Sequence, residues 1–341
     1  MNTNTSCIDL HNYLQKSYSS AMAMDALHGL TASQKSIPSK YFYDARGSQL
    51  FEEICRLPEY YPTRTEISIL THAAPRIIRS FTQGDIVELG SGANRKIRIF
   101  LDSAGREKLS QFRYVPVDVS ESALREASEE LQRLYPGLDI AGIVADFTRH
   151  MEMIPCDNPR LMLFLGSTIG NFDDEMQRDF LRSVSRSMNR DDRFVVGFDM
   201  IKPRAALEAA YNDSRGVTSA FNKNVLHVLN RELDADFHPS QFEHVAFYND
   251  EKERVEMHLR AKKKMVVTIN DLHLDVMIDK GETIHTENSC KFSRSRIEHM
   301  VSDAGLAIRE WYFDPKEWFS LVCCSRYNCC NRERRENRLL L

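Results

Sequence analysis

The 341-residue sequence has no run of 18 or more apolar side chains, and its first ten residues, MNTNTSCIDL, carry no leader pattern. The first absence excludes a membrane-spanning helix and the second a secretory signal, so a cytosolic chain with no membrane partner is expected. No basic block stands in the body of the chain and the net charge is −4, which gives no reason to expect nucleic acid. No C-x-x-C pair occurs among the eight cysteines. Cys7, Cys55, Cys156 and Cys290 stand singly, as reduced thiols do. The other four, Cys323-Cys324 and Cys329-Cys330, fall near the end beside the basic run Arg332–Arg338. No histidine joins them, so no metal is expected there. Residues 326–341 are expected to be a disordered Cys/Arg-rich tail.

Two phosphate-binding signatures are also missing. A P-loop is absent, and the turn Gly90-Ser91-Gly92 has Arg95 where a dinucleotide fingerprint requires a third glycine. What is present is the stretch 85–101, DIVELGSGANRKIRIFL. A short apolar run (Ile86, Val87, Leu89) meets a glycine turn, and an amphipathic helix (Ile97, Ile99, Phe100, Leu101) follows. Strand, glycine turn and helix in that order form the nucleotide-binding corner of an open α/β sheet. An acid before the turn, Glu88, suits S-adenosylmethionine, which lacks a phosphate and carries a cationic sulfonium. A glycine turn that binds nothing is the competing reading.

Strands and helices alternate from there. YVPVD (114–118), AGIVAD (141–146), RLMLFLG (160–166) and RFVVGFD (193–199) read as strands, with Ser120 as the N-cap of the helix after the first. The alternation implies a parallel sheet with ligands at the carboxyl ends of its strands. Those ends carry Gly90, Asp118, Asp146-Phe147 and Gly166-Ser167-Thr168. Residues 1–64 read as helical pieces, with a helix near Ser48–Arg56 and Thr63 or Thr65 as a possible cap of the next. Residues 205–233 read as helical, 262–279 as a hairpin turning near Asn270-Asp271, and 284–292 as extended. A helix over 294–304 and two strands, AIREWYF and WFSLVCC, close the chain. The expected fold is a Rossmann-like α/β sheet interrupted by an α+β insertion. Residues 65–201 plus 292–325 would form the nucleotide domain, and 10–64 plus 202–291 the substrate domain.

Several long motifs resemble one family. YFYDARGSQLFEEI, LPEYYPTRTE, VELGSG with Lys96 following, YVPVDVS, LFLGSTIGNF, AYND..GVTSAFN, ERVEMHLR and TENSCKF are similar to those of the histidine N-alpha-methyltransferases of ergothioneine biosynthesis, over about residues 20–322. The resemblance implies a class I methyltransferase fold and transfer of three methyl groups from S-adenosylmethionine to the α-amine of L-histidine, by a monomer without a metal. It implies that Gly90, Lys96, Asp118, Asp146 and Phe147 bind the methyl donor. Tyr60, Asn171 and Tyr211 would hold the substrate's carboxylate and backbone, and Met257 would line the ring pocket. Glu287 and Ser289 would read the imidazole, and Tyr43 would orient the amine.

The chemistry of these side chains suits those roles. Glu287 and Ser289 are two apart in an extended stretch, so both face one way. A carboxylate accepts from one ring N–H, and a hydroxyl donates to or accepts from the other nitrogen. An indole would leave that pair unsatisfied, which disfavours the runner-up, a same-fold enzyme acting on a tryptophan-derived or other amine. A binding protein that has lost catalysis would need damaged donor or substrate positions, and none is found.

Overall fold

The structure is a computed structural model, and it describes residues 8–14 and 18–327. In chain order, β1 (Asp9–Asn12), α1 (Tyr18–Thr31), β2 (Lys35–Ser36), α2 (Ala45–Ile54) and α3 (Tyr61–Ser80) lead into the sheet. There follow β3 (Gly84–Leu89), α4 (Arg95–Ala104), β4 (Phe112–Asp118), α5 (Glu121–Leu134), β5 (Asp139–Val144), β6 (Arg160–Phe164), α6 (Asp174–Ser187) and β7 (Arg193–Asp199). The insertion supplies α7 (Arg204–Tyr211), α8 (Val217–Glu232), β8 (Phe242–Asn249), β9 (Arg254–Ala261), β10 (Met265–Ile269), β11 (Leu274–Ile278) and β12 (Thr283–Cys290). Then α9 (Arg294–Asp303), β13 (Leu306–Phe313) and β14 (Phe319–Arg326) return to the sheet.

The large sheet has the order β1-β5-β4-β3-β6-β7-β14-β13. Its first six strands are parallel, and β14 runs antiparallel to both neighbours. The chain leaves β3 toward β4 and β5 on one side, then crosses back to β6 on the other. The carboxyl end of β3 therefore lies at the switch of strand order, where an open α/β sheet forms its ligand crevice. This is the expected Rossmann-like α/β sheet. Helices α5 and α6 start where Ser120 and Asp173 cap them, each side chain accepting from a backbone N–H three residues on.

A second sheet, β2-β12-β9-β8, lies across the first one's carboxyl edge. Its core is separate. It joins Met22, Leu30, Phe42 and Leu50 from the N-terminal segment to Phe221, Leu226, Leu259 and Ile284 from the insertion. The sheet strands pack their own apolar faces, Val87, Val117, Phe164 and Phe198 among them.

Several sequence expectations are corrected. The start of the chain is not only helical: Asp9–Asn12 pairs in parallel with β5 and extends the sheet edge. Asp9-Leu10-His11-Asn12 holds a single apolar residue and gives little signal for a strand. The cap of α3 is Tyr60, with Pro62 in the first turn, while Thr63 and Thr65 lie inside the helix. Proline tolerates that first turn because its missing N–H is unpaired there in any helix. The helix after Tyr43 runs from Ala45 rather than Ser48, because the Asp44 side chain accepts from Gly47 N–H and starts it earlier. The single helical stretch 205–233 is two helices, divided at Asn212–Gly216, where Gly216 has φ +71°. The strands β8 and β9 were not foreseen. Cys323 and Cys324 do not belong to a tail: both are buried in β14, the strand next to the edge of the sheet. The expected tail from 326 begins with Arg326, still in that strand, and residues 328–341 lie outside the described residues.

At the amino end of β6, Arg160 is 1% exposed and held by Asp192 through Nε and Nη2 at 3.0 and 2.7 Å. The same carboxylate accepts from the Arg160 backbone N–H at 2.8 Å. Removing one member of such a pair strands the other's charge in the interior. Asp192→Ala is expected to lower unfolding free energy by about 3–5 kcal/mol in denaturant titrations.

Candidate active site

One cavity of about 1300 Å³ opens over the carboxyl ends of β3, β4, β6 and β7 and is closed above by α2, β9 and β12. All twelve residues singled out from the sequence line it. They fall into two groups, one on the large sheet and one beneath the second sheet.

The sheet half is built by the turn after β3. Gly90 takes φ +72° and Gly92 φ +43°, left-handed conformations that side chains resist. A Cβ at Gly92 would meet nothing within 4 Å, so the turn faces open space. Asp118 ends β4, and its carboxylate accepts from the backbone N–H groups of Gly92 at 3.3 Å and Ser120 at 3.0 Å. Burial raises its pKa while those N–H bonds pull it back. Asp146 follows β5 and accepts from Thr148 N–H at 3.0 Å. The Phe147 ring packs edge-on against Phe164 and Phe180 at 5.4 and 6.0 Å. Lys96, on α4, reaches back to Glu66 at 2.7 Å, and Glu66 also accepts from Gly166 N–H at 2.8 Å. Burial works against the Lys96 charge, but Glu66 outweighs it and lifts the pKa above the ordinary value.

The other half is aromatic and polar. Tyr43 packs edge-on to Phe51 and Phe221, and Tyr60 edge-on to Tyr211 at 6.2 Å. Met257 stands opposite Glu287 in the β9–β12 register. Asn171 ends the turn Thr168–Asn171, which β12 overlies closely: a Cβ at Gly170 would sit 2.9 Å from the Cys290 carbonyl oxygen. That glycine lets β12 bring Ser289 down to the sheet. Ser289 Oγ lies 2.6 Å from Tyr211 Oη.

The residues 22–326 match the family described as histidine-specific methyltransferase, SAM-dependent. The chain belongs to that family. It is 43% identical over 320 residues to the histidine N-alpha-methyltransferase of Mycolicibacterium smegmatis, covering 94% of this chain and 99% of that one. It is 42% identical over 306 residues to the histidine N-alpha-methyltransferase of Mycobacterium tuberculosis, covering 90% and 95%. An L-tryptophan methyltransferase of Psilocybe serbica is 27% identical over 318 residues, covering 84% and 87%.

Within this family fold, the sheet half suits S-adenosylmethionine. The open glycine turn gives a ligand access to backbone, and Asp118 offers an acceptor fixed by two N–H bonds for ribose hydroxyls. Glu88, buried beneath the turn, donates nothing while ionised. Burial pushes it up to about 8, with the Tyr114 hydroxyl at 2.6 Å opposing.

Sequence reasoning missed the group that joins the two halves. Asp199, at the end of β7, accepts from Tyr61 Oη at 2.8 Å, from Lys291 Nζ at 2.8 Å, and from Lys202. Burial opposes the Asp199 charge, yet the two lysines outweigh it and hold the carboxyl below its usual range. Burial pushes Lys202 down to about 8, and Asp199 opposes that shift. The signal was present, since Asp199 is a further acid at the end of a predicted strand.

Among the described residues one group has the side chains of a metal site: Glu256, His258 and His285. Glu256 and His285 already have other partners, and His258 Nε2 pairs with Glu256 itself at 3.1 Å. Arg254 Nε and Asn249 Nδ2 donate to Glu256 at 2.9 and 3.1 Å. The two imidazoles stack 4.7 Å apart, and His285 Nε2 lies 3.1 Å from the Glu287 carbonyl oxygen. His285 lines the cavity near Glu287.

Asp118→Ala is expected to weaken S-adenosylhomocysteine binding about 10- to 100-fold by calorimetry, the scale of a lost hydrogen bond to a charged group.

Proposed function

We propose that this chain trimethylates the α-amine of L-histidine, giving hercynine, the opening step of ergothioneine biosynthesis. The observation that carries the reading is the pairing of Glu287 and Ser289 in one cavity with the donor half of a histidine-specific methyltransferase fold. S-adenosylmethionine, when bound, supplies an electrophilic methyl group. Gly90, Lys96, Asp118, Asp146 and Phe147 are assigned to its side of the cavity. Lys96 acts there by holding Glu66, and through it the turn at Gly166. Residues 65–201 and 292–325 would serve the donor, and 10–64 and 202–291 the substrate.

Substrate positions follow from the chemistry of each side chain. Asn171 and the Tyr60 hydroxyl offer hydrogen-bond donors to a carboxylate, and Tyr211 acts on the substrate through the hydrogen it shares with Ser289 Oγ. Glu287 accepts the ring N–H, Ser289 meets the other ring nitrogen, and Met257 packs on the ring. Tyr43 orients the amine. Burial first, then the Glu287 charge, raise the Tyr43 pKa well above 10, so it keeps its proton and is no strong base. Three protons leave the amine over three transfers, and the hydroxyl lies where it can pass them outward. The growing cation loses its N–H donors, and tyrosine faces attract it by roughly 0.5–2 kcal/mol each.

A monomer working in the cytoplasm without a metal fits this reading. Cys55, Cys156, Cys290, Cys323 and Cys324 are free thiols, as in a reducing compartment. No helix among the described residues is long and apolar enough to cross a membrane.

Mass spectrometry of the protein incubated with S-adenosylmethionine and each of the twenty amino acids is expected to show a gain of three methyls on histidine alone. Methylation of tryptophan or another amine, with histidine untouched, would overturn the substrate assignment. Glu287→Ala should lower kcat/KM for histidine by about 10- to 200-fold, because it removes the acceptor for a buried N–H.

The pH profile gives a second check. Burial pushes Glu287 up to about 7, against the pull of Lys291. The free enzyme therefore loses its carboxylate acceptor as pH falls through 7. kcat/KM, which reports free-enzyme ionisations, should fall up to tenfold per unit below that point. Glu287→Gln should lose this inflection and keep only those of the substrate.

A further inference from the structure

Lys291 is wholly buried directly behind the substrate half of the cavity, two residues after Ser289. Its ammonium has three N–H bonds and no lone pair, so it can only donate. It has three partners: Asp199 Oδ2 at 2.8 Å, Ser289 Oγ at 2.8 Å and Tyr211 Oη at 3.1 Å. Every ammonium hydrogen is thereby assigned. Burial opposes the charge, and Asp199 outweighs burial, so the lysine stays protonated.

Both hydroxyl oxygens thus already accept from Lys291. They also lie 2.6 Å from each other, a contact that holds one hydrogen. Two hydroxyls own two hydrogens. One bridges the pair, and the second has no acceptor in the structure among the described residues. It is left to point into the cavity that both residues line. Whichever hydroxyl bridges, the pair presents one donor to the ligand. Glu287, on the same strand, presents acceptors.

We propose that Lys291, anchored by Asp199, is a positioning residue that fixes the direction of hydrogen bonding at Ser289, so that the site takes the neutral imidazole in one tautomer: N–H toward Glu287, unprotonated nitrogen toward the Ser289–Tyr211 pair. This deepens, and rests on, the histidine reading above. It turns an ambiguous hydroxyl into a donor, and it gives the site a reason to reject both an imidazolium and a ring with carbon at that position. A buried donor facing a C–H group is left unpaired, and sites built on polar contacts discriminate strongly on that ground.

Lys291→Met is a fair probe because Asp199 keeps Lys202 and Tyr61 as partners, so no carboxylate is stranded. The probes are histidine and the two pyrrolylalanines, 3-(pyrrol-2-yl)alanine and 3-(pyrrol-3-yl)alanine. Each keeps an N–H and replaces one ring nitrogen with C–H. Binding is read by calorimetry in the presence of S-adenosylhomocysteine at pH 8, with thermal melting as a folding control.

The wild-type chain is expected to bind histidine at least 100-fold more tightly than either pyrrolylalanine. In Lys291→Met the hydroxyl pair is free to turn and accept. Histidine binding should weaken while that of a pyrrolylalanine holds or improves, narrowing the ratio tenfold or more. Ser289→Ala should narrow it as well. Equal losses for all three ligands in Lys291→Met, with the ratio intact, would mean a merely structural lysine and overturn the proposal. Comparable wild-type affinities for histidine and a pyrrolylalanine would overturn it too, without any variant having to fold. A wild-type chain that binds no histidine would overturn the underlying substrate reading and this one together, which separates the two failures.

Discussion

The carboxylate of Asp199 is the constraint on which the two halves of the molecule depend. It stands at the end of β7 and gathers Tyr61 from the start of α3, Lys202 from the strand's exit and Lys291 from beyond β12. Its backbone takes part as well: Asp199 N–H donates to Ser167 Oγ at 2.8 Å, and Phe292 N–H donates to the Asp199 carbonyl at 2.9 Å. Four distant segments therefore meet at one residue. A buried charge tolerates this only because two cations and a hydroxyl replace the water it lost.

That junction explains how a methyltransferase sheet acquires selectivity for an amino acid. The sheet supplies an open crevice at its switch of strand order, and any nucleoside-binding relative has one. The insertion adds the ceiling. The β9–β12 pair fixes Met257 opposite Glu287, and Gly170 allows β12 close enough to the sheet for Ser289 to touch Tyr211. Donor and acceptor sides then share one enclosed volume, so the reacting groups meet with little freedom left to lose.

Charge in this cavity is arranged as donors and acceptors with few choices left open. Lys96 and Glu66 neutralise each other beside the donor half. Lys291 fills its three bonds behind the substrate half. Glu287 is the exception: it lines the cavity, and burial holds its carboxyl near neutrality until a ligand supplies a partner. An acceptor waiting for an N–H is what a recognition group for an imidazole requires.

Much of this was legible in the linear chain. The glycine turn after an apolar strand, the alternation of strands and helices and the cap at Ser120 follow from local rules, because periodicity and capping act within a few residues. The insertion showed as a change of pattern after β7. The site residues came from long motifs, and they line one cavity because the strand ends and α4, the N-terminal segment that carries Tyr43 and Tyr60, and the insertion converge there. The edge strand Asp9–Asn12 was hidden, since its stability comes from pairing with β5 and not from its own side chains. The burial of Cys323 and Cys324 depends on β14 inserting between β13 and β7, the latter more than a hundred residues away in the chain. Asp199, Lys202 and Lys291 are ordinary charged residues in the sequence. Only the fold removes their water and makes each the other's necessary partner. Local preference decided the elements, and the shared desolvation of distant charges decided the site.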